Sequence, residues 1–168
     1  MLNDFKFREL TPENFFEYDK RGSNKEISRE LAIEATKFFF EAQLSEKVPK
    51  DTRELFEVAR AVMIYGVNFY PLYTVGAEQL FRVAENALRM KCNQTGIVPN
   101  QGKYMFAKML GALIKNRVIK REHIDVWNSF KKLRNIFSHP EFQQLFPPAV
   151  VLDWVDLVSE HINQLFEP

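Results

Sequence analysis

Apolar residues recur along most of this chain at steps of three and four, the spacing that lines one face of a helix. Ile27, Leu31, Ala35, Phe38 and Ala42 do so behind Ser23 and Glu26, which have capping-box spacing, and together predict a helix over residues 24–45. The run Phe38-Phe39-Phe40 reads as core plus one partly exposed ring. Asp51 and Glu54 repeat the capping-box spacing after Pro49, and Leu55, Ala59, Val62, Gly66 and Phe69 carry a stripe to about Tyr70, where Pro71 ends or kinks it. From Leu72 to Asn93 one side carries Gly76, Leu80, Val83, Ala87 and Met90, and another carries Glu78, Arg82, Glu85 and Arg89. NQTGIVPNQG, residues 93–102, is a loop by composition. Helical patterning resumes over 103–116 and again over 122–138. A last helix, opened by Pro147 and Pro148, spaces Val151, Val155, Val158, Ile162 and Phe166 in the same way.

Almost no segment alternates with a period of two, so the chain reads as all-α: an up-and-down bundle of four to five long helices over residues 23–168. Residues 1–22 lack a long period and read as an arm packed on that domain. Within the arm, Thr11 and Pro12 look like the N-cap and first position of a short helix.

Composition narrows the class. A chain of 168 residues with 46% apolar content and 16 Phe has material for one well-packed core, which excludes a disordered tail. A net charge of +1 is not that of an electrostatic nucleic-acid coat. The charge is uneven, however: Lys115, Arg117, Lys120, Arg121, Lys131, Lys132 and Arg134 face only Glu122 and Asp125, and no Lys or Arg follows Arg134. The single Cys92 can form no intramolecular disulfide, and no secretory-type apolar run opens the chain, so a cytoplasmic location is expected. No stretch nears the roughly 20 apolar residues of a membrane span.

Phosphate-cradling glycine loops, nucleophile elbows and Cys/His pairs at ligand spacing are all missing from the sequence. His123, His139 and His161 lie too far apart along the chain to suggest a zinc site with one Cys, so neither a metal nor a cofactor is expected. Cys92 and His123 receive no role, and His161 reads as peripheral packing. Tyr104, Trp127 and Phe130 have the spacing of core residues, although such rings can also stack bases.

Residues 131–140, KKLRNIFSHP, gather more chemistry. Pro140 disfavours helix at the residue before it, which ends the helix near Ser138 or His139 and sets an imidazole among unpaired carbonyls that favour a cation. Arg134 is one turn before Ser138, and Asn135 one turn before His139. In an unbroken helix Arg134 and His139 diverge by roughly 140°, so they share a pocket only if the last turn unwinds or a second molecule completes it.

Arg134-Asn135-Ile136-Phe137-Ser138-His139 resembles the Arg-x(4–6)-His motif, with Asn in second place, of the HEPN superfamily (higher eukaryotes and prokaryotes nucleotide-binding domains). YPLYTVGAEQLFRVAENAL is similar to the long helix of bacterial members, and the resemblance covers about residues 50–166. It implies a four- to five-helix bundle that dimerises with two motifs facing each other. Many members are metal-independent endoribonucleases, some in toxin–antitoxin or phage-defence systems with an antitoxin or nucleotidyltransferase-like partner; others only bind nucleotides, RNA or proteins. Carried onto this chain, Arg134 and His139 are the catalytic candidates, supported by Asn135, Ser138, Glu78 and Glu85. Lys120, Arg121, Lys131 and Lys132 offer an RNA-backbone track. The same residues also have ordinary roles open to them: Arg134 pairing with Glu78 or Glu85, His139 capping carbonyls, and Glu78–Arg82 and Glu85–Arg89 as i,i+4 ion pairs.

Overall fold

The computed structural model describes residues 8–19, 28–138 and 145–167. Among these the regular structure is helical, without a strand, and comprises six helices: α1 (Arg29–Glu41), α2 (Lys50–Ile64), α3 (Leu72–Thr95), α4 (Phe106–Lys115), α5 (Ile124–Ser138) and α6 (Pro148–Phe166). The pattern predicted four to five long ones; α2, α3, α5 and α6 have 15 residues or more, while α1 and α4 are shorter.

α3 is the axis of the fold, packing on α2, α4, α5 and α6. Its buried residues run nearly all round, from Tyr73, Gly76 and Ala77 to Leu88 and Cys92. Small side chains make this possible. A methyl group at Gly76 would overlap Met63 Cγ and stand 3.2 Å from the Ala59 carbonyl oxygen, so α2 and α3 meet at van der Waals distance there. Gly96, at φ 68°, then closes α3 in the left-handed conformation, and Ile97 donates its N–H back to Cys92 O at 3.0 Å. Around α3 the rings of Phe56, Phe81, Trp127 and Phe130 are almost wholly buried, each contributing about 1.5–3 kcal/mol relative to exposure.

Several local expectations are corrected. Pro71 does not end the second helix: α2 stops at Ile64, a 3-10 turn covers Tyr65–Val67, and Pro71 is the N-cap of α3. Asp51 is not the N-cap: Pro49 takes that place and Asp51 lies in the first turn of α2, while Thr52 turns inward to donate its hydroxyl to Asn86 Oδ1 at 2.6 Å. In α1 the buried stripe is Ala32, Thr36 and Phe39, one residue out of register with the expected Leu31, Ala35 and Phe38. Apolar residues on three sides of this helix left its inner face ambiguous, and both Phe38 (46% exposed) and Phe40 (51%) flank the buried Phe39. Ser28 caps α1 by accepting from Leu31 N, whereas Ser23 and Glu26 lie outside the described residues. In the arm, Thr11 and Pro12 open a turn, not a helix.

The arm is nonetheless docked. Asp19 is buried, donates its N–H to Val67 O at 2.9 Å, and accepts from Tyr70 N at 2.8 Å. Arg8 adds a bond from Nη1 to Asn68 O at 3.0 Å. At the other end, Asn163 of α6 holds the α1–α2 connection, accepting from Ser45 N and donating to Gln43 O. The stripe predicted for α6, from Val151 to Phe166, is buried at each position named.

Candidate functional site

α5 meets α3 through rings at both ends of the motif-bearing stretch. Phe130 and Phe137 both pack on Phe81, and Phe137 stacks on it at 5.6 Å with planes 23° apart. Arg134 sits between them, one turn from each, so its side chain leaves α5 on the α3 side. There its Nε donates to Glu85 Oε2 at 3.2 Å. The Glu85 side chain is largely covered (17% exposed) and the Arg134 side chain about one-third exposed. Position and exposure leave the cation within reach of solvent while a carboxylate from the neighbouring helix fixes its direction.

This is the ordinary pairing with Glu85 that the sequence left open for Arg134, and it forms in place of the Glu85–Arg89 bridge. Arg89 turns the other way, donating from Nη2 to Tyr104 O at 3.2 Å and lying over the Tyr104 ring. Glu78 shares the α3 face of Glu85, two turns earlier, and is half-buried with no ion pair to Arg82 within 4.0 Å. Burial raises the pKa of its carboxyl, and the positive charge of Arg82 opposes part of that rise.

α5 keeps helical geometry through Ser138. His139 lies outside the described residues, as does the side chain of Ser138. Beyond the motif, Phe146 is anchored by its N–H on Thr74 Oγ1 at 3.2 Å and by its ring against Phe137 and Trp154. Phe146 is thus fastened at Thr74, and Phe137 of the motif at Phe81, two turns further along α3.

The proposed RNA track is only partly assembled. Lys131 is some 60° round α5 from Arg134 and donates to Asn128 Oδ1 at 3.1 Å. Asn135 and Lys132 are exposed, Lys132 roughly 160° from Arg134 and so on the opposite face. Lys120 and Arg121 are exposed beyond the other end of α5, at least about 15 Å along the axis from Arg134. Trp127 and Phe130 are core, not stacking surfaces, and Tyr104 is half-buried under Arg89.

A second cluster was not legible as such. His161, expected at the periphery, is buried (6% exposed), and its ring stands 5.1 Å from that of His123 at 88°. Sequence distance hid a contact that the return of α6 past the start of α5 creates. Among the described residues no group of three or more His, Cys, Asp and Glu is arranged to hold a metal ion, and no helix is long and apolar enough to cross a membrane. No protein-family model, curated protein or solved structure matches the chain.

Proposed function

We propose that this protein is a HEPN-like, metal-independent endoribonuclease that works as a homodimer. The observation that carries the reading is the sequence motif from Arg134 to His139, whose arginine lies on a helix docked against α3, where the Arg134 side chain stays about one-third exposed while its Nε donates to Glu85 Oε2.

Cleavage of RNA by its own ribose requires the 2′-hydroxyl to attack the adjacent phosphorus. The 2′-oxygen–phosphorus bond forms as the bond to the 5′-oxygen breaks; a base takes the 2′ proton and an acid supplies one to the 5′-oxygen. Arg134 in this scheme binds the phosphoryl oxygens, where charge grows in the transition state. His139 and its mate in the second subunit divide the two proton transfers, a task suited to imidazole near neutral pH. Asn135 and Ser138 orient these groups, and Glu85 positions Arg134. With α5 regular from Arg134 to Ser138, the reading takes a second copy to bring the guanidinium and an imidazole to one phosphate. In a toxin–antitoxin or defence setting, an antitoxin or nucleotidyltransferase-like partner would cover or modify this end of the bundle.

The test is incubation of purified protein with unstructured RNA in EDTA. The expected products carry 2′,3′-cyclic phosphate ends, and His139→Ala abolishes them while fold and oligomeric state persist. Equal inertness of wild type and variant on varied RNAs would instead assign the bundle to binding of nucleotides, RNA or proteins.

A further inference from the structure

Where the start of α5 meets the far half of α6, three side chains without a role in RNA cleavage converge. His123 and His161 stand ring to ring, 5.1 Å apart and nearly perpendicular. His161 Nδ1 lies 2.8 Å from the carbonyl oxygen of Leu157, one turn back. A carbonyl only accepts, so in the neutral ring Nδ1 holds the proton and Nε2 presents its lone pair. Metal-binding imidazoles are fixed in the same way, by a second acceptor that sets the tautomer.

Gln164 supplies the third observation. Its Nε2 donates to Glu160 Oε1 at 3.0 Å, and its Oε1 is buried without a hydrogen-bond partner. A buried acceptor with no donor calls for a water proton or a cation. Both His residues and Gln164 line one small cavity of about 30 Å³, walled also by Val118, Lys120, Trp127 and Leu165. That is space for one ion or a water or two.

We infer that His123, His161 and Gln164 form a site for a single borderline divalent cation of the Zn²⁺ or Ni²⁺ type, two imidazoles and an amide oxygen being completed by water. An ion about 2.0–2.1 Å from each nitrogen lies roughly 3.2 Å from each ring centre, and at a tetrahedral angle two such rings stand about 5.2 Å apart. The His123–His161 ring centres, 5.1 Å apart in an edge-on contact, leave room for that arrangement. The Glu122 carboxylate, 3.5 Å from His123 Nε2, adds negative charge beside the site and offsets Lys120. Imidazole nitrogens select Zn²⁺ and Ni²⁺ over Mg²⁺ and Ca²⁺, which prefer all-oxygen shells. A bound ion would pin the start of α5 to α6, far from Arg134, so the site is separate from cleavage in EDTA.

The full chain titrated with ZnCl₂ alone should bind one ion per chain, and its Tm should rise by about 5–10 °C at free Zn²⁺ a hundredfold above Kd, with no rise in MgCl₂. His123→Ala, at a partly exposed position, should fold normally and weaken binding at least about tenfold. Gln164→Leu should also weaken binding, while raising the Tm of the metal-free protein by relieving the buried acceptor. Zn²⁺ binding unchanged in both variants, or a Tm response no greater than with Mg²⁺, would overturn the site; binding that survives both would place the ion on other residues such as His139.

Discussion

Arg134 and Glu85 contribute little to stability as a pair. The arginine side chain is about one-third exposed, and bridges open to solvent on one side are worth at most about 1 kcal/mol. Their significance is direction: with its Nε bound, the guanidinium plane is fixed relative to α3. Tyr73 shows the opposite balance at the residue scale. It is buried against Phe39 and Tyr70, and burial first, then the charges of Tyr70 and Asp19, push its hydroxyl up to about 12. The raised folded value means that the native state keeps a proton the unfolded chain releases above pH 10. Its contribution is therefore complete below pH 10 and is lost as pH rises towards 12, at up to about 1.4 kcal/mol per unit. Urea midpoints measured from pH 9 to 12 should fall across this window, and Tyr73→Phe should flatten the fall; an identical decline in the variant would place the titration elsewhere.

Among the elements, α3 depends on how closely α2 approaches it. Replacing a helical Gly by Ala ordinarily stabilises by about 0.5–1 kcal/mol. At Gly76 the added methyl collides with Met63 Cγ and crowds the Ala59 carbonyl, and overpacking of this kind costs about 1–3 kcal/mol, so it wins. Gly76→Ala should accordingly lower the denaturation midpoint. Gly111→Ala in α4, where nothing lies within 4 Å, should raise it, and the two shifts together separate packing from propensity. Elements were legible where the apolar stripe was unique. In α6 the buried face follows the predicted spacing, with Leu152, Trp154 and Leu157 half-buried beside it; α1 has three apolar sides and buries a face one residue away from the predicted one. Capping-box spacing at Asp51 misled because α2 begins earlier, with Pro49 at the N-cap and Asp51 already in the first turn. Pro71 misled because a proline that stops one helix is equally suited to start the next.

At the scale of the whole molecule, periodicity was enough to predict an all-helical chain, since every long segment needs a partner for its apolar face. It could not say which charged residues meet across helices. Glu85 had candidate partners in Arg89 on its own helix and Arg134 on another, and the choice rests on the rings of Phe81, Phe130 and Phe137 that dock α5 on α3. The His123–His161 contact likewise depends on how α6 returns along α5, which no local pattern encodes. The central claim, that Glu85 aims Arg134 at RNA phosphate, is tested most directly by single-turnover cleavage of one RNA in EDTA by wild type, Glu85→Gln, Arg134→Ala and the double variant. If Glu85 acts through Arg134, Glu85→Gln should slow cleavage about 10-fold or more with Tm nearly unchanged, and Arg134→Ala should be slower still, with the double variant no slower than Arg134→Ala alone. Wild-type cleavage rates in Arg134→Ala, or effects of the two substitutions that simply multiply, would contradict the account.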